Sequence, residues 1–197
     1  MNLIERAKNI IMTPKTEWPV IAAEEPNATA ILIGYVIPLA LIPAVASIIG
    51  YGLIGQGFMH SFTWGIALGV TSFVSTVLGV YLTAFVVDFL APNFGSQKNF
   101  GRAMQLVAYS YTPAWVAGVL NIVPALGVIG TLAGLYGLYL LYLGLPHTMK
   151  TPQDKVVVYL VITVVVLLVV YMVIGAILTG IMVSVLGLTA LGGLRGM

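Results

Sequence analysis

Three stretches of the chain contain no charged residue: Pro26 to Val87 (62 residues), Ala103 to Met149 (47 residues) and Val156 to Leu194 (39 residues). Crossing the roughly 30 Å hydrocarbon core of a bilayer takes about 20 apolar residues at about 1.5 Å rise each. The three stretches therefore hold about two, two and one spans. Only 7% of the 197 residues are charged and 60% are hydrophobic, against about 25% charged in an ordinary soluble domain. A soluble globule is excluded. The expected fold is all-α, a polytopic membrane protein of five transmembrane helices with an N-terminal amphipathic helix.

The chain divides accordingly into an amphipathic segment (1–25), a five-span membrane domain (26–180) and a short apolar tail (181–197). In the first segment Leu3, Ile4, Ala7, Ile10 and Ile11 recur at helical spacing, with Glu5, Arg6, Lys8 and Asn9 on the other face. Such a short helix is marginal alone in water and is expected at the membrane surface or against the bundle. Pro14 ends it, and Trp18 is expected at headgroup depth, as an interfacial anchor. These residues have no continuous apolar run of the signal-peptide kind, so the N-terminus is expected to persist.

Spans are expected at about 28–49, 62–90, 103–121, 123–145 and 156–179. Pro38 and Pro43 should bend the first, and Pro113 should kink the third or make it partly re-entrant. Gly50 to Ser61 reads as the loop between the first two spans, and Ala91 to Arg102 as an aqueous loop. With five spans and a cytoplasmic N-terminus, Arg6, Lys8, Lys15, Lys98, Arg102, Lys150 and Lys155 all fall in the cytoplasm and only Arg195 outside. These seven residues form the expected cytoplasmic basic face.

Helices in lipid associate through close packing, which small residues permit. Gly65, Gly69, Ser72, Thr76, Gly79 and Thr83 form one stripe on the second span, and Gly127, Gly130, Gly134 and Gly137 another on the fourth. Both are expected to pack within the chain in preference to a homo-oligomer, so leucine at Gly69 or Gly134 should disrupt the bundle.

Asp88 is the one acid inside an apolar stretch, and a carboxylate in hydrocarbon costs several kcal/mol. With Tyr81 on the same face, and Tyr109, Tyr111 and Pro113 at the kink, it makes a candidate intramembrane polar site, although an interfacial structural role for it is favoured. His60 and His147 fall in different loops, no metal-ligand spacing occurs, and the chain has no Cys. No nucleophile has a base at family-type spacing, and the net charge of +2 gives no nucleic-acid surface. Neither catalysis nor a cofactor is expected. A scaffold or adaptor recruiting protein or lipid partners is the leading reading, with solute or ion permeation as the alternative.

Several segments carry a resemblance: LIERAKNIIMTPKTEWPVIAAEE, PLALIPAVASIIG, APNFGSQKNFGRAMQLVAYSYTPAWVAG and, most specifically, GLYGLYLLYLGLPHTMKTPQDK. Over about residues 3 to 172 the chain resembles the Yip family of Ypt/Rab-interacting membrane proteins, most closely its short prokaryotic members. The resemblance implies five spans, a cytoplasmic N-terminus, a non-enzymatic role and a prokaryotic cytoplasmic membrane. The chain lacks the long cytosolic N-terminal region and the Asp-Leu-Tyr-Gly-Pro motif of the eukaryotic members, so a Rab-type GTPase is not the expected partner.

Overall fold

The computed structural model describes residues 2–54, 62–123 and 126–194. The loop residues 55–61 with His60, and also Pro124 and Arg195, lie outside the described residues. Every regular element among the described residues is helical. Residues Met1–Leu160 form one compact unit and Val161–Met197 a second.

The Asn2 side chain accepts a hydrogen bond from the Ile4 N–H and opens α1 (Leu3–Met12). Pro14 then starts α2 (Pro14–Ala23), where its missing N–H costs nothing. Each helix has only 10 residues and holds its shape by burying a face: Arg6, Ala7 and Ile10 from α1, and Glu17, Trp18 and Ile21 from α2. Trp18 is therefore no interfacial anchor. Its ring is fully buried, and its indole N–H has no partner among the described residues.

The helical stretch Ala28–Ile54 comprises α3 (Ala28–Ile31), a π-helical turn over Leu32–Val36, α4 (Ile37–Ile49) and a second π turn over Gly50–Ile54. Pro38 has no N–H for the carbonyl four residues back and its ring crowds that turn. The helix widens just before it, and the Ile37 N–H reaches the Leu32 carbonyl five residues back. Gly50–Ile54 stays helical where the sequence suggested the start of a loop. A Cβ at Gly50 would strike the Asn121 carbonyl, and one at Gly65 would come within 2.5 Å of the Gly52 Cα. Only glycine permits both approaches.

Helix α5 (Phe62–Leu90) ends in a 3-10 turn over Ala91–Phe94, closed by Gly95 at φ 67°. Next come α6 (Phe100–Ser110), α7 (Thr112–Ala117), a 3-10 turn over Gly118–Ile122, and α8 (Gly127–Thr148). The kinked third stretch is thus three short pieces, with the break at Tyr111, two residues before Pro113. A short 3-10 turn, Gln153–Lys155, leads into α9 (Val156–Leu194). In the second unit α9 runs past residue 180, where the sequence suggested a separate tail, because glycine does not stop an apolar helix. Three helices among the described residues are long and apolar enough to cross a membrane: Ala28–Ile54, Phe62–Phe94 and Gln153–Ile174.

The two small-residue stripes behave differently. On α5, a Cβ at Gly69 would meet the Ala44 carbonyl at 2.8 Å and the Ile48 side chain. Further along, Thr83 is buried and its hydroxyl lies 3.2 Å from the Tyr111 hydroxyl, while Ser72, Thr76 and Gly79 are half-buried. This stripe faces α4 and the third stretch.

On α8 the close approach begins at Gly137, where a Cβ would lie 2.8 Å from the Ser110 carbonyl, at the end of α6. It continues through Leu140, Leu141, Gly144, Leu145 and Thr148, which are all buried. At Gly130 and Gly134 no described atom lies within 4 Å of a built Cβ, so these two glycines do not form the expected contact. Gly144, outside the expected stripe, is the tight point. A Cβ there would stand 2.8 Å from the Trp18 ring and closer still to Leu106.

Gly144→Ala is expected to destabilise the protein by about 1–3 kcal/mol through overpacking, lowering the midpoint of thermal unfolding in detergent. Gly134→Ala is expected to leave that midpoint unchanged.

Candidate functional site

One end of the first unit gathers most of its polar groups. Arg6, only 4% exposed, projects from α1 between two carboxylates of the next segment. Its Nη1 donates to Glu17 Oε1 at 2.5 Å, and its Nη2 donates to Glu24 Oε1. The guanidinium also lies over the Tyr109 ring, 5.5 Å from its centroid. A buried cation is tolerable when its partners and hydrogen bonds are supplied together, and here the first 24 residues supply both carboxylates.

Arg102, on the first turn of α6, makes a second clamp. Its Nη1 donates to the carbonyls of Ala22 (2.9 Å) and Glu24 (2.8 Å) and to Gln105 Oε1 (3.0 Å). The last carbonyls of a helix such as α2 have no partner within it and carry partial negative charge. Arg102 neutralises them across 80 residues of sequence. Tyr136 of α8 adds a third tie, its hydroxyl donating to the Ile11 carbonyl at 2.7 Å.

The expected basic face is therefore split. Arg6 and Arg102 are internal clamps, whereas Lys8, Lys15, Lys98, Lys150 and Lys155 are exposed. Three of those lysines sit on two loops that are clipped together. The Gln97 N–H donates to the Met149 carbonyl at 2.9 Å, and the Ser96 hydroxyl donates to Thr151 Oγ1 at 2.8 Å. Lys155 Nζ would lie 3.7 Å from a Cβ at Gly95.

Beside the Arg6 clamp is an open cavity of about 320 Å³ between α1, the α2–α3 connection, the first turns of the Ala28–Ile54 helix and α6. Its polar lining comprises Arg6, Glu24, Glu25, Asn27, Gln105 and Tyr109; its apolar wall includes Ile31 and Gly34. Gln105 is 1% exposed and Tyr109 7% exposed. Among the described residues neither Gln105 Nε2 nor the Tyr109 hydroxyl has a hydrogen-bond partner. The Tyr109 ring meets Tyr35 edge-on at 4.7 Å, and the Tyr35 hydroxyl is 2.8 Å from Thr112 Oγ1.

The residues of the expected intramembrane polar site do not converge. Tyr81 is 52% exposed and packs on Phe100, with ring centroids 5.1 Å apart, so it is not the partner of Asp88. Tyr111 reaches Thr83, Tyr109 turns to the cavity, and Pro113 is buried where α7 begins. Asp88, in the last turn of α5, is buried with Oδ1 unpartnered, and among the described residues it meets neither Lys98 nor Arg102 in an ion pair. The neighbouring Val87 carbonyl accepts from the Tyr159 hydroxyl, and Tyr159 stacks on Phe94 at 4.7 Å. His147 is bonded back to the Leu143 carbonyl of its own helix at 2.9 Å. No group of three or more metal-ligating side chains occurs among the described residues.

Sequence reasoning missed Glu17, Glu24 and Gln105. The first two read as polar positions of an aqueous segment, and nothing local assigns them to Arg6. Gln105 does carry a signal, as an amide inside the apolar run AMQLVAY.

Three helices long and apolar enough to cross a bilayer, among described elements that are all helical, define an all-helical membrane protein. A family model of the Yip1 domain matches residues 8–175, and the chain belongs to the Yip family. No curated protein and no solved structure matches the chain.

Replacing Arg6 by Met leaves Glu17 buried without its cation, which is expected to cost about 3–5 kcal/mol. Arg6→Met combined with Glu17→Met should recover much of that loss, as read from thermal unfolding in detergent.

Proposed function

We propose that this Yip-family protein is a non-catalytic membrane scaffold or adaptor that recruits partners at its cytoplasmic end. The observation that carries the reading is the pair of clipped loops, which hold Lys98, Lys150 and Lys155 exposed on one rigid platform. Lys8 and Lys15 stand exposed on the docked N-terminal helices. A fixed array of cations favours association with acidic protein surfaces and anionic headgroups.

In this reading residues 1–25 are cytoplasmic and residues 26–180 form five spans, with the 22-residue α8 and the broken 100–122 stretch completing the three longer helices. The chain is of the short prokaryotic type, lies in the cytoplasmic membrane and carries its C-terminus outside. The positive-inside bias supports this orientation, with seven of the eight basic residues on the N-terminal side. Gly130 and Gly134 of α8 meet no other described residue and suit a second copy or another membrane partner.

Affinity purification from native membranes into nanodiscs tests the adaptor reading. A stoichiometric protein partner is expected with the wild type and is lost when Lys98, Lys150 and Lys155 are changed to Gln. Recovery of no partner by either form would overturn it.

The unpartnered Asp88 Oδ1 favours a second reading, permeation of a small solute or ion. That reading requires proteoliposome flux that Asp88→Asn abolishes. Equal flux from the two forms would remove it.

A further inference from the structure

The cavity beside Arg6 holds complementary groups that the clamp does not use. Glu17 and Glu24 occupy two nitrogens of Arg6, whereas Glu25 lines the cavity with no ion pair among the described residues. One cation and two carboxylates line the space, so it favours a cationic group. On the α6 side, Gln105 and Tyr109 are more than nine-tenths buried and line the same space, and among the described residues Gln105 Nε2 and the Tyr109 hydroxyl have no hydrogen-bond partner. Both residues line the cavity, so an acceptor placed in it would meet two donors that the described residues leave unpaired.

A ligand that meets all these groups carries a hydrogen-bonding cation and, a few ångströms away, an anionic acceptor. It must also have an apolar part, because the remaining wall belongs to the outer face of a helix apolar enough to cross a membrane. At that wall Gly34 is exposed, and a Cβ built there would meet no described atom within 4 Å. Its neighbour Ile33 is 61% exposed. The cavity lies where that helix begins, which in the proposed orientation is headgroup depth, and its volume is in the range of small-molecule clefts, roughly 300–1,000 Å³.

We propose that this cavity binds the headgroup of a glycerophospholipid bearing a primary ammonium. The ammonium donates to the Glu24 and Glu25 carboxylates, and the phosphate oxygens accept from Gln105 Nε2 and the Tyr109 hydroxyl. One acyl chain leaves past Ile31 and Gly34. A lysine side chain from a protein partner would satisfy the carboxylates but leave both α6 donors empty. A quaternary ammonium has no N–H to donate, so a choline headgroup fits less well. The proposal deepens the adaptor reading by giving the chain a lipid partner, and it rests on that reading only in placing this end of the bundle at the membrane surface.

Native mass spectrometry of the detergent-purified full chain tests it, with phosphatidylethanolamine, phosphatidylcholine and phosphatidylglycerol of matched acyl chains. A single phosphatidylethanolamine adduct is expected, at least tenfold favoured over the other two. Gly34→Leu fills open space at the acyl-chain exit, and Glu25→Gln removes an exposed carboxylate. Each should reduce the adduct at least tenfold without changing thermal unfolding of the lipid-free protein. Equal retention of the three lipids, or an undiminished adduct in Gly34→Leu, would overturn the proposal. So would a lysine-containing peptide that binds at Glu25 while phosphatidylethanolamine does not. The lysine-platform experiment reads protein capture alone, so either result can fail while the other stands.

Discussion

A single guanidinium shared by two carboxylates organises the charged end of this protein. Arg6 is almost wholly buried, and a lone cation in that position would be prohibitive. Glu17 and Glu24 make it tolerable, and the pairing obliges α1 and α2 to fold against one another. Once joined, they present Ile10, Trp18 and Ile21 together as an apolar surface. That surface meets α6 and α8, and Arg102 then closes the far end of α2 by capping its free carbonyls. The N-terminal segment is thus a structural part of the bundle, held by ion pairs within itself and by packing against the rest.

Glycine decides how closely the other helices approach. At Gly50, Gly65 and Gly69 backbone lies against backbone or against Ile48, and at Gly144 the missing side chain makes room for an indole ring. Proline marks where the helical pattern changes. Before Pro38 the helix widens into a turn in which the Ile37 N–H bonds the Leu32 carbonyl, and Pro113 sits where α6 gives way to α7. The two residue types act at different points, so interrupted helices still pack closely.

Much of this architecture was legible in the sequence, because lipid imposes a length and an apolarity that charge-free runs display directly. The all-helical fold, an irregular turn near Pro38, the break near Pro113 and the family follow from local signals or recognisable segments. Contacts between distant segments did not follow. The spacing that marks Gly130 and Gly134 also marks Gly137 and Gly144, and only the position of α6 determines which of them is covered. Burial of Trp18 depends on a glycine 126 positions away, and the cations counted for topology include two that are spent internally. The candidate site was the least legible part, because Glu17, Glu24 and Gln105 look like ordinary polar residues until the chain has folded back on itself.

The long reach of the N-terminal ties sets an order on biosynthesis. The Tyr136 hydroxyl meets the Ile11 carbonyl across 125 residues, and Arg102 reaches Ala22 across 80. A nascent chain emerging from the ribosome therefore exposes α1 and α2 long before their docking partners exist. During that interval the Arg6 pairs, contained within the first 24 residues, need nothing from downstream. The segment can pair its own charges early, but its apolar face is covered only once α6 and α8 are in place, with α8 closing over Trp18.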